Sequence, residues 1–150
     1  MKLHPQLTQH LKFISVTKTF TGLADSGAVG ANSLILITGE VIVVALVPFC
    51  TTSLGEAAPG SATIALGTTV APVLFIAATP ALDIDANEFW LDITPDPFGL
   101  ALPATLKDVV VEGTSGTNYI NAQVAVAAVN AGVIRFDCYW MPLSPTGKLG

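Results

Sequence analysis

Val133-Ile134-Arg135-Phe136-Asp137-Cys138-Tyr139-Trp140-Met141 is the stretch on which the fold turns. Ile134, Phe136, Cys138 and Trp140 fall on one side of an extended chain, and Arg135, Asp137 and Tyr139 on the other. Successive side chains of a β-strand point to opposite faces, so this period of two marks a strand with one face in a core and one outside it. Working outward, the same kind of run recurs. Phe13–Thr21, Leu34–Ile37, Ser61–Leu66, Val73–Ala78, Thr105–Glu112 and Tyr119–Val129 are short, rich in β-branched or apolar residues, and bounded by Gly, Pro, Asn and Ser. Thr38-Gly39-Glu40 reads as a turn between the Leu34–Ile37 strand and the next one, Val41–Cys50. That last run, VIVVALVPFC, is apolar at nearly every position, which predicts a strand covered on both faces. Asp83–Ile93 mixes acids with Phe89, Trp90 and Leu91, and Thr94–Leu102 carries Pro95, Pro97 and Gly99 and reads as irregular.

No window shows a helical repeat that competes with these runs. Ala122–Val129 is the nearest, and its flanking Tyr119 and Ile120 favour strand. Turn signals at spacings of about ten residues predict an all-β fold, an antiparallel β-sandwich of jelly-roll-like type. The chain divides into an extended N-terminal arm at 1–12, one sandwich domain at 13–144 and a polar C-terminal tail at 145–150.

Composition narrows the function. The chain has 150 residues, of which 51% are hydrophobic and only 11% charged. About 25% charged is ordinary, so a surface this short of charge predicts extensive contact with other protein. A domain of this size buries about two thirds of its unfolded surface and needs neither metal nor disulfide to fold. The net charge is −5, and the six basic residues are scattered from Lys2 to Lys148, which argues against nucleic-acid binding and against an acidic membrane surface. Cys50 and Cys138 sit in apolar runs without nearby histidines and read as reduced core residues. Met1 to Thr21 carries Lys2, His4, His10, Lys12 and Lys18 and no apolar run, so no signal peptide is expected. The apolar stretches are cut by Gly and Pro well short of the ~20 residues a membrane helix needs, and the expectation is a soluble protein.

Few residues suit catalysis. The only histidines are His4 and His10, both in the arm, where no carboxylate can hold an imidazole rigidly. Gly113-Thr114-Ser115-Gly116 lacks the spacing of a nucleophile elbow, and neither it nor Gly22–Gly30 has the lysine of a phosphate loop. Asp25-Ser26-Gly27-Ala28 resembles the D-[ST]-G-A loop of retroviral-type aspartic proteases, in which two copies of one aspartate share a proton. The competing reading is an ordinary turn, because Asp closes turns and Gly takes positive φ. Asp83, Asp85 and Glu88 leave an irregular calcium site open, although the EF-hand pattern fails at Glu88 and Thr94. Phe89 and Trp90 are read as one core ring and one contact ring in preference to a sugar-stacking pair.

A family resemblance joins several phrases of the sequence. These are Lys18-Thr19-Phe20-Thr21-Gly22, Ile37-Thr38-Gly39-Glu40-Val41, Ala62 to Thr68, Asp83 to Trp90, and Gly132 to Ser144. Together they resemble small structural proteins of tailed bacteriophages, of the capsid decoration or cement kind. The resemblance implies a virion protein on the capsid surface, present in the host cytoplasm during assembly. It implies a homotrimer that binds the major capsid protein and stabilises the head, with no catalytic residues, metal, cofactor or small-molecule substrate. A head-spike, fibre-base or tail component is the neighbouring reading. The expected contact residues are Lys2, His10 and Lys12 of the arm, Val43 and Val47 of the doubly apolar strand, and Phe89 and Trp90.

Overall fold

The computed structural model describes residues 10–97, 99, 106–113 and 117–150. Its strands, in chain order, are β1 (Lys12–Thr19), β2 (Gly30–Glu56), β3 (Thr63–Thr68), β4 (Ile76–Pro80), β5 (Glu88–Phe89), β6 (Asp96–Pro97), β7 (Leu106–Gly113), β8 (Tyr119–Ala125), β9 (Val129–Pro142) and β10 (Lys148–Leu149). A single 3-10 turn, Ala81–Asp83, follows β4, and the described residues contain no α-helix. The all-β reading is therefore met. Every strand pair is antiparallel. The strands form one curled sheet, a half-barrel, in the order β1-β9-β2-β8-β3-β4.

The long strand β2 makes this possible. Its first part, Gly30–Leu36, pairs with β8. Its second part pairs with β9 from Val41 to Glu56 and with β7 from Gly39 to Ala45. Short β5 joins it at Phe49 and Cys50. The turn expected at Thr38-Gly39-Glu40 is absent, and the two strands predicted on either side of it are one. Backbone partners on both flanks hold the chain extended there. Lys148 and Leu149 of β10 face Thr38 and Ile37, and Gly113 of β7 faces Gly39. Gly39 bends the strand with φ +60. A Cβ on it would lie 2.6 Å from Thr146 Oγ1 and 2.7 Å from Ser144 Oγ. Glycine is required at that position on both counts.

Val44 is an extra residue. Val43 faces Trp140 and Ala45 faces Tyr139, so Val44 has no opposite number on β9 and forms a β-bulge. The bulge inverts which positions face inward. Val41 and Val43 point into the core before it, and Leu46, Pro48 and Cys50 after it. Much of the unbroken apolarity of VIVVALVPFC is thus a change of parity, where the sequence alone suggests two covered faces. Pro48 fits this strand because its neighbour Phe136 turns its backbone groups to β1, so the ladder to β9 needs no N–H from position 48. On its other side the Pro48 carbonyl accepts the Trp90 N–H at 3.0 Å.

The alternation read in Val133–Met141 is present as expected. Ile134, Phe136, Cys138 and Trp140 are buried, and Arg135 and Tyr139 are exposed. They join Ile35, Ile37, Leu46, Ile64, Leu66, Ile84 and Ile120 in one core inside the curl. The expected polar tail at 145–150 is instead anchored. β10 adds to β2, Leu149 is 4% exposed, and the Gly150 N–H donates to the Leu36 carbonyl at 3.1 Å. We therefore expect Leu149→Ala to lower stability by about 2–3 kcal/mol, as for other truncations of a buried leucine. Urea unfolding measures this, and a detached tail would show no change.

Candidate interaction surface

The convex face of the sheet, opposite the core, collects one set of side chains by register. Phe13, Tyr139 and Ala45 form one cross-strand row, Ser15, Asp137 and Val47 the next, and Thr17, Arg135 and Phe49 the third. Phe89 of β5 extends the third row beyond Phe49. On the far side of the bulge, Met141, Ile42 and Val110 continue the face. The surface is aromatic and aliphatic with one compensated ion pair in it. Arg135 Nε donates to Asp137 Oδ2 at 2.9 Å, and its guanidinium lies 5.4 Å from the centre of the Phe49 ring. Asp137 also accepts the Ser15 hydroxyl at 2.6 Å. Phe13 packs on Tyr139 with ring centres 5.0 Å apart, and Phe49 on Phe89 at 4.8 Å. Phe13 is nevertheless 54% exposed and Val110 58%. Tyr139 is exposed too, and Val47, Phe49 and Phe89 are half-buried.

The expected contact residues separate on this geometry. Val47 and Phe89 lie on the convex face. Val43 and Trp90 do not, because both are fully buried in the core, and they are withdrawn as contact residues. The Trp90 indole N–H donates to Thr79 Oγ1 at 3.0 Å deep in the fold, which leaves no ring face for a partner or a sugar. Lys12 lies on the opposite side of β1, its ammonium 5.2 Å from the Trp140 ring centre. His10 is an exposed turn residue, and Lys2 lies outside the described residues. The sequence reading missed Phe13, Phe49 and Tyr139. Their signal was present as odd positions in exposed strands, but only the register shows that they meet.

The residues weighed for chemistry make structural contacts. Asp25 takes a positive φ of 54, accepts the Ser33 N–H at 2.5 Å and lies 3.5 Å from Lys18 Nζ. It closes the loop between β1 and β2, the turn reading of Asp25-Ser26-Gly27. Glu88 Oε2 accepts the Asp85 N–H at 2.9 Å, and no group of three His, Cys, Asp or Glu side chains converges as a metal site among the described residues. A cleft of about 440 Å³, unseen in the sequence, lies between β7, the residues just before β8 and the β3–β4 connection, lined in part by Thr68, Thr69, Leu74, Glu112 and Asn118. Asn118 Nδ2 donates to the Glu112 carbonyl. Lys107 ties β7 to two loops by donating to the Leu91 carbonyl at 3.2 Å and the Phe75 carbonyl at 3.5 Å. Burial lowers its pKa, and Asp92 pulls it back up.

Cys50 and Cys138 are free thiols in the core. Burial pushes the Cys138 thiol up to about 12. Burial also raises Cys50, to about 11; the Thr52 backbone lowers it somewhat, and Glu88 and Asp85 add to the rise. The chain matches no protein-family model, no curated protein and no solved structure.

The thiols set a pH dependence. Both folded values lie above the ordinary 9.0 of a free thiol. The unfolded chain ionises first, so the stabilisation is whole below pH 9.0 and is lost as pH rises through the folded values. We expect urea midpoints to fall above about pH 9, and to fall less in a Cys50→Ala/Cys138→Ala variant. The folded protein should also resist thiol reagents at neutral pH until it is unfolded.

Proposed function

We propose that this chain is a non-enzymatic structural protein of a bacteriophage virion, a capsid decoration protein. It sits on the major capsid protein shell as a homotrimer and stabilises the head. The observation that carries the reading is the convex sheet face. Phe13, Ile42, Val47, Phe49, Phe89, Val110 and Tyr139 form an apolar patch on a chain with very few charges. Exposed apolar surfaces of this breadth mark protein contacts, and aromatic rings are enriched at the centres of such contacts. Arg135 and Asp137 neutralise each other within the patch, so covering it strands no lone charge.

The sequence resemblance supplies the kind of partner, and the curled sheet is compatible with the jelly-roll-like sandwich that the strand spacing suggests. A shell-bound protein needs rigidity, broad contact and no chemistry. Binding only the assembled shell, it shifts the equilibrium away from disassembly by mass action. The N-terminal arm is the part we assign to reaching a neighbouring subunit.

Light scattering on the purified protein should give a mass that is a whole multiple of three chains of 15.5 kDa each. Val47→Arg sets a cation in the middle of the convex face without touching the core, and should weaken the trimer and abolish cosedimentation with shells of the major capsid protein. Wild-type and variant protein that behave alike in both measurements would sink the assignment of this face.

A further inference from the structure

The edge of β1 offers a second contact, distinct from the convex face. Strand β1 ends the sheet, pairing with β9 alone among the described strands. The Phe20 N–H donates to the Gly132 carbonyl at 2.9 Å, which fixes the parity of the ladder. In an antiparallel pair, residues alternate between aiming both backbone groups at the neighbour and aiming both away. Lys12, Ile14, Val16 and Lys18 therefore bond β9, and Phe13, Ser15, Thr17 and Thr19 turn their N–H and C=O groups outward. Natural sheets blunt such edges with proline, bulges or charge. Here the register from Lys12 to Thr19 runs without a bulge, and the strand has no proline. Both lysines are turned away from the outward row. Lys12 lies over Trp140, and Lys18 donates to the Ser33 carbonyl at 3.0 Å beside Asp25.

We propose that β1 pairs antiparallel with β1 of a second copy of this chain about a twofold axis centred on Val16. In this register Phe13 faces the partner's Thr19 and Ser15 faces the partner's Thr17, so all the outward backbone groups find partners. On the core side Val16 meets the partner's Val16. Ile14 meets the stem of the partner's Lys18, whose charge is already satisfied within its own chain. The flanking registers are worse. Sliding one way sets Lys12 beside the partner's Lys18. Sliding the other way sets Phe13 against the partner's Thr21, whose N–H is already taken by the Ser26 carbonyl at 2.6 Å. The loop around Ser26 thus ends the edge just past Thr19. A second copy is the occupant that satisfies backbone, side chains and charge together, because the row is self-complementary.

The contact is twofold and lies outside the proposed threefold unit, so it links copies from different trimers. Its test is the solution mass at tens of micromolar protein. Thr17→Pro removes an outward N–H that the single chain does not use, and should halve the wild-type mass. A Val16→Lys variant, changed on the half-buried core side of the edge and away from the convex face, sets two ammonium groups against each other at the axis and should halve it too. Near-ultraviolet circular dichroism checks the fold; if Thr17→Pro unfolds, the lysine variant decides. Equal masses for wild type and variants overturn the proposal, as does a monomeric wild type, which would leave the edge for a strand of another protein. The two readings fail separately. A trimer unchanged by the variants rejects the β1 pair and keeps the threefold unit. A wild-type dimer that becomes a monomer does the reverse.

Discussion

The structure depends on one strand having partners along its whole length. β2 runs for 27 residues, far beyond the usual five or six, and an isolated strand of that length would be unstable. It is held by β8 at its start, β10 at its bend, β7 and β9 through its middle and β5 further on. Its bend at Gly39 carries the sheet around the core, and its bulge at Val44 re-aims the side chains beyond. The curl follows from these two irregularities acting on an otherwise regular ladder. The core it encloses holds Trp90, Phe20 and Phe136 at full burial, together with two thiols whose pKa values burial raises.

Shortage of charge has a structural counterpart. Several of the few charged groups are engaged by other parts of the chain. Asp25 and Lys18 close the β1–β2 loop, Glu56 accepts backbone N–H groups of the next turn including that of Ala62 at 2.7 Å, and Lys107 is half-buried against carbonyls. Arg135 and Asp137 cancel on the convex face. The charges left to solvent are mostly acids, among them Glu40, Asp83, Asp85, Asp92, Asp108 and Glu112. The two surfaces singled out differ in kind. The convex face presents side chains, so a contact there would draw its affinity from apolar burial. The β1 edge presents backbone, so a contact there would draw its selectivity from register.

Particular residues show how far the sequence could be read. The alternation in Val133–Met141 named the inward set of β9 correctly, because one face of that strand is core and the period of two has no interruption. In Val41–Cys50 the same logic gave the cover, since every position is buried or half-buried, but missed the change of inward set. A bulge leaves no mark in a run of valines, and its parity change looks like burial on both faces. Gly39 reads as a turn residue, and it does take a positive φ; the chain goes on because partners distant in sequence, β10 and β7, hold both of its edges. Trp90 and Phe89 could not be told apart by sequence, being adjacent and therefore on opposite faces; Thr79, which accepts the Trp90 N–H, decides which ring goes in.

The sequence by itself determined the all-β class, the positions of most strands, the reduced state expected of the two cysteines and the poverty in charge. These follow from local pattern and composition, which each residue carries wherever the chain goes. Only the tertiary structure decided that two predicted strands are one, that the tail closes the sheet, and that Phe13, Val47, Phe49 and Tyr139 share a face. Those outcomes are set by register between strands as far apart in sequence as Lys12 and Trp140, where shifting a pairing by one residue exchanges the inside for the outside.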